Sequence, residues 1–303
     1  MVELVLIADA LVRATPLILA GLAVTLAFKG GVFNIGAEGQ LLVGAAASIA
    51  VSLSLGEAPG GLVMIAALTA GGAAGALWAA IAAELKSRFH VLEIISTIML
   101  NFIAIHLVSY LVRGPLQEPT KIFPQTLTLE PSARLPVMLP GTRLHLGFLI
   151  AVVIALALGW FFRRTVAGFR IRATGASPRA ARSTGRIDVG RTSFMVFMAS
   201  GAVAGLAGGI EATGVTFALY ENLSPGYGYT GIAVALIAGL NPAAVIASGI
   251  FFGVLQTGAL ALQREYAVPS SLASVAEAAL ILGVLTVAAY RGRTIIGLSK
   301  HAS

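Results

Sequence analysis

Apolar residues in this chain come in unbroken stretches too long for a soluble core. They run over 4–28, 41–55, 61–83, 91–112, 144–162, 193–213, 243–262 and 272–290. About 20 residues cross a bilayer core as a helix, and in lipid a helix satisfies its own backbone polar groups. Hydrophobic residues make up 57% of the chain and charged ones 11%, against about 25% charged in a soluble domain. Too few polar groups remain to cover a water-facing surface. The expected fold class is all-α, a polytopic transmembrane helical bundle of about 8–9 membrane segments. The whole of 1–303 reads as a single transmembrane domain. The piece 229–240, bounded by a Gly/Pro-rich break at 222–228 and by Asn241-Pro242, is too short to cross alone at about 1.5 Å per residue. Discontinuous or short helices are therefore part of the expectation.

Three polar connections stand out. Residues 84–90 read as a short loop. Residues 113–143 carry Pro115, Pro119, Pro124, Pro131, Pro136 and Pro140 and read as an extramembrane loop. Residues 163–192 form a basic loop. If 163–192 is cytoplasmic and the spans alternate, 14 of the 20 lysines and arginines fall inside and five outside, with Arg13 within a span. That bias sets the orientation: 113–143 external, N-terminus outside, C-terminus inside. Topology thus accounts for the net charge of +7, and nucleic-acid binding is not expected.

Several chemistries are excluded. The chain has no cysteine, and its four histidines show no ligand spacing, so no metal site is expected. No glycine-rich phosphate loop ends in a lysine, so no cofactor site and no ATP hydrolysis are expected, and any ATP would be used by a partner. No nucleophile–base constellation supports an intramembrane enzyme. A gradient-driven carrier needs an ion-coupling group deep in a span, for which Glu38 is the one strong candidate.

Four stretches carry functional potential. In Phe33-Asn34-Ile35-Gly36-Ala37-Glu38-Gly39-Gln40, Gly36 and Gly39 permit a turn, and Asn34, Glu38 and Gln40 bring polar groups to membrane depth. A helix starting here directs its positive end at Glu38. Irregular backbone at that depth lines a cavity or is buried in protein; a plain turn outside the membrane is the other reading. Glu93, Thr97 and Asn101 follow at i+4 on one helical face, as pore lining or as glue between helices. Tyr227 and Tyr229, after the second break, read as interfacial anchors or as a stacking surface for a solute. The two breaks occupy comparable places in the two halves. In 177–184, Ser177 is a good N-cap, Pro178 suits the first helical position, Arg179-Ala180-Ala181-Arg182 favours helix through Ser183 and Thr184, and Gly185 suits the left-handed stop. This predicts a two-turn helix outside the membrane that needs a docking surface. Gly201, Gly205 and Gly209 read as a helix-packing stripe.

The 33–40 segment, Glu93-Ile-Ile-Ser-Thr-Ile-Met-Leu-Asn101, the loop 168–185 and Ser224-Pro-Gly-Tyr-Gly-Tyr-Thr-Gly-Ile-Ala233 resemble one family across nearly the whole chain. It is the permease family of ABC importers for branched-chain amino acids, ribose and other simple sugars. Within it the likeness runs to bacterial nucleoside permeases. The resemblance implies a non-catalytic permease subunit in the bacterial cytoplasmic membrane, importing nucleosides or related simple sugars. Branched-chain amino acids remain the alternative substrate. It also implies an ATP-binding-cassette ATPase, a second permease subunit (a paralogue or itself), an external lipoprotein-type binding protein, and 177–184 as the ATPase-coupling helix. Members carry a further N-terminal span, so Met1 opens on what resembles their second. The resemblance thus implies a misplaced start codon or a shortened form.

Overall fold

The protein is described here from a computed structural model covering residues 2–56, 58–183 and 185–266, with isolated positions between 275 and 286. Its elements are α1 (Val2–Lys29), α2 (Ala37–Ser54), α3 (Gly60–Phe89), α4 (Glu93–Arg113), α5 (Gly147–Arg164), α6 (Val166–Ala176), α7 (Pro178–Ser183), α8 (Val189–Glu211), α9 (Tyr227–Ile237) and α10 (Pro242–Tyr266). Seven of these helices are long and apolar enough to cross a membrane, and α9 is a shorter apolar one. The described residues thus form a polytopic helical bundle. The expected span over 272–290 lies outside the described residues.

Burial sorts the helices. In α1, 83% of the most apolar window is covered by protein, against 22% in α5, so α1 is the axis of the bundle and α5 stands at its rim. α1 packs against α8, α9 and α10, while α2, α3 and α8 form a second tight group. The expected glycine stripe is part of that group. A β-carbon on Gly201 would lie 2.4 Å from the Gly75 carbonyl oxygen, and one on Gly205 would lie 2.3 Å from that of Gly71. Two glycine faces therefore bring α3 and α8 to backbone contact, the packing that small residues allow in membranes.

Two connections differ from expectation. The loop expected at 84–90 is instead the last turns of α3, which stop at His90 in a left-handed conformation (φ 55°). Those residues are good helix formers, and Glu84 and Arg88 form an i,i+4 ion pair along the protruding end. The connection at 163–192 contains α6 as well as the expected two-turn helix. Thr165 starts α6, its hydroxyl accepting from Gly168 N at 3.0 Å.

The proline-rich stretch after α4 has little regular structure beyond a 3₁₀ turn at Pro131–Ala133, yet it is anchored. Thr126, Leu129 and Leu135 N–H groups donate to the carbonyls of Leu219, Phe217 and Thr213 at 2.9, 2.7 and 3.0 Å. It thereby covers the π-helical turn Ala212–Thr216 that ends α8.

Candidate functional site

Two helices of the bundle begin buried in protein rather than at a surface, and each start leaves backbone N–H groups without intrahelical partners. α2 starts after the first break. Its cap residue, Gly36, has no side chain to offer. The missing acceptor comes from α4: Asn101 Oδ1 accepts from Gly39 N at 2.8 Å. The same amide donates to Ile35 O at 3.0 Å and to the Tyr229 hydroxyl at 3.2 Å. α9 starts after the second break. Ser224 Oγ accepts from Tyr227 N at 3.1 Å, and Glu38 Oε2 accepts from Gly228 N at 2.7 Å. Each interrupted helix is thus capped by a side chain from elsewhere in the chain. Glu38 also sits in the first turn of α2, so its carboxyl group faces two helix N-termini, where negative charge is favoured.

The first break is closed by side-chain amides. Asn34 Nδ2 donates to Gln40 Oε1 and to Ser200 Oγ, each at 2.9 Å, while Asn34 Oδ1 accepts from Gly36 N and Gln40 Nε2, each at 3.0 Å. The Ser200 hydroxyl in turn donates a hydrogen bond to Ala23 O at 2.7 Å. Asn34, Gln40, Asn101 and Ser200 are all buried, and this network supplies the partners that buried polar groups require.

The two breaks meet. A β-carbon on Gly228 would lie 2.2 Å from Glu38 N and 2.6 Å from its Cα, so only glycine lets α9 start against α2. Beside this junction lies a cavity of about 290 Å³, lined on its polar side by Glu38, His106, Ser109, Glu221, Asn222 and Ser224. Glu221 is fixed there by Arg113, whose Nε and Nη2 donate to it at 2.7 and 2.9 Å, and by the Ser109 hydroxyl. On the other side of the 220–225 segment a second cavity, of about 330 Å³, is lined by Arg13, Arg143, Glu211, Tyr220 and Tyr227 among others.

The structure therefore brings Asn34, Glu38, Gln40, Asn101 and Tyr229 into one assembly. It separates the two tyrosines: Tyr227 is buried towards the second cavity, whereas Tyr229 is exposed. Thr97 donates to Glu93 O of its own helix at 2.7 Å. Glu93 lies at the far end of α4, accepting from Phe33 N at 2.9 Å and paired with Lys86. Ser109 and Ser200 fall outside the stretches that the sequence singles out, whereas Glu221, Asn222 and Ser224 lie in or beside its second break. Ser200 was the one within reach, as the polar residue beside the Gly201 stripe.

At the opposite end from the proline-rich stretch, α7 projects from the bundle. Ser177 Oγ accepts from Ala180 N at 3.3 Å, Gly185 is left-handed (φ 64°), Ala181 is buried, and Arg179 and Arg182 are exposed. Thr184 lies outside the described residues.

Comparison with known proteins follows the same outline. Residues 6–289 match the family described as branched-chain amino acid transport system / permease component. The chain is 39% identical over 290 residues to the glucose ABC transporter permease protein TsgB13 of Haloferax volcanii, covering 92% of this chain and 75% of that one. It is 36% identical over 302 residues to the guanosine ABC transporter permease protein NupP of Bacillus subtilis, covering 98% and 85%. With the nucleoside ABC transporter permease protein NupB of Lactococcus lactis it shares 30% over 285 residues, covering 91% and 78%. No solved structure matches the chain.

Proposed function

The chain belongs to the permease-component family of branched-chain amino acid transport systems, and from that premise we propose that it is the permease subunit of an ABC importer for nucleosides or related simple sugars. The cavity at the junction of the two breaks carries this reading. Its carboxylates, serine hydroxyls, asparagine amide and imidazole suit a solute with several hydroxyl groups and no net charge. Guanosine and glucose, named for two of the relatives, share that chemistry. Glu38 and Asn222 would hydrogen-bond the solute, and the exposed ring of Tyr229 would offer a stacking face one step further along.

In this reading the end of the bundle carrying α6 and α7 is cytoplasmic, the proline-rich stretch is external, and the membrane is the bacterial cytoplasmic membrane. An ATP-binding-cassette ATPase seats on α7 through Arg179 and Arg182, a second permease subunit completes the pore, and an external lipoprotein-type protein delivers the solute. Closure of the ATPases pushes α7. The motion passes through α6 and α8, and the Gly-to-Gly contact of α3 with α8 moves as one rigid unit. The amide network of the first break holds its shape while the 220–226 segment opens and closes the path. The test is uptake of radiolabelled guanosine and glucose in cells with and without this gene, and in a strain whose partner ATPase lacks its phosphate-loop lysine. Loss of uptake in both strains is expected. Uptake that survives the ATPase lesion points instead to a gradient-driven carrier.

A further inference from the structure

We propose that the elbow between α5 and α6 is a binding site for the phosphate headgroup of an anionic phospholipid. The lipid-facing stripe of α5 consists of Leu149, Val153, Leu156 and Trp160, all exposed and spaced at three or four residues, hence on one face. The stripe ends in Trp160, 63% exposed, a residue type that sits at headgroup level. Arg163 and Arg164 follow one turn later, both exposed. The chain then folds back at once. A β-carbon on Gly168 would lie 2.3 Å from Phe161 O, so α6 lies directly against the last turn of α5. That fold places Val166, Phe169 and Arg170 beside the same corner, all exposed, the two apolar residues by 69% and 57%.

Residues 144–176 contain four arginines and neither aspartate nor glutamate. Lys86 pairs with Glu93, Arg88 with Glu84 and Arg113 with Glu221, whereas Arg163, Arg164 and Arg170 form no ion pair among the described residues. Three guanidinium groups beside exposed tryptophan, valine and phenylalanine match a ligand with a phosphate at one end and acyl chains at the other. A fork of guanidinium donors suits phosphate oxygens, and a basic cluster at the end of a span draws anionic lipid. α7 is distinct: its Arg182 lines a cleft with Lys86, Val189, Phe194 and Phe197 rather than with α5.

The full-length chain, purified in mild detergent, would be analysed by native mass spectrometry with phosphatidylglycerol and phosphatidylcholine of equal acyl length. The wild type is expected to retain phosphatidylglycerol in preference. The triple substitution Arg163→Gln, Arg164→Gln, Arg170→Gln is expected to weaken that retention on the order of 10- to 100-fold, from the attraction of each basic residue to an anionic headgroup. Arg179→Gln with Arg182→Gln is expected to leave it unchanged. Glycerol phosphate without acyl chains is expected not to compete. A triple variant that does not purify as a monodisperse helical protein is replaced by the corresponding lysine variant, expected to keep the preference in weakened form. Equal retention of both lipids by the wild type overturns the proposal. So does loss of the preference through the α7 substitutions alone, which would assign the anion site to the protein-docking surface.

Discussion

The two interruptions of this bundle are built on opposite plans. The first, at 33–40, is closed by neutral amides, Asn34, Gln40 and Asn101, each buried and each making at least two hydrogen bonds. The second, at 220–229, is held by backbone and charge. Asn222 and Gly226 are left-handed (φ 59° and 97°), and Glu221 is clamped by Arg113 at the edge of a cavity. A fully satisfied amide network is rigid and specific. A left-handed segment with an ion pair facing water can rearrange. On the proposed reading the first break would be the fixed wall and the second the moving one, and Gly228 against Glu38 is where they touch.

The largest expected effect comes from forcing them apart. Gly228→Ala places its methyl against Glu38 backbone, where no rotamer change relieves the contact. It should cost about 3 kcal/mol, the upper range for overpacking, read as a lowered thermal midpoint of the detergent-purified chain. Asn101→Ala comes next. It leaves the buried Gly39 N–H without an acceptor, a loss of about 1–3 kcal/mol in the same assay, together with increased amide exchange at the start of α2. Glu38→Gln keeps an acceptor for Gly228 N but removes the carboxyl group from two helix starts, so its stability loss should stay within about 1 kcal/mol. A drop in Glu38→Gln as large as in Asn101→Ala would show that the first break depends on the Glu38 carboxyl as much as on its amides.

The smallest effect is a pH dependence confined to the second break. Hydrogen bonds from Arg113 and Ser109 hold the Glu221 carboxyl down to about 2. A carboxyl lowered on folding contributes stability that is present above its unfolded value, near 4.3, and is lost as pH falls towards 2. Hydrogen exchange in 220–226 should therefore quicken between those values while 33–40 stays protected. Arg113→Gln, which removes the main cause of that lowering, should flatten the pH dependence and quicken exchange in 220–226 already at neutral pH.

What could be read from the sequence was what neighbouring residues decide among themselves. Ser177, Pro178 and Gly185 specify the start and stop of α7 within nine residues, and the helix forms where they place it. The apolar runs gave the bundle for the same reason. The breaks were legible as breaks, but their wiring was not. Asn34 reaches Ser200 across 166 positions, and Glu38 reaches Gly228 across 190, and no local pattern encodes such partners. The shared face of Glu93, Thr97 and Asn101 was legible, yet those residues do three different things, because what each meets lies on other helices. α6 was concealed by its arginines and glycines, although Thr165 followed by Gly168 three residues on carried a capping signal.

The assignment of a fixed wall and a solute-bearing cavity is tested most directly by chemical access. The chain has no cysteine, so single cysteines can be read without background. Ser109→Cys and Ser224→Cys, on the cavity, should react with a membrane-impermeant thiol reagent and be protected by saturating guanosine or glucose. Ser200→Cys, sealed behind Asn34, should stay inert. Labelling at Ser200→Cys as fast as at the other two, or no protection by either solute at any position, would contradict the account.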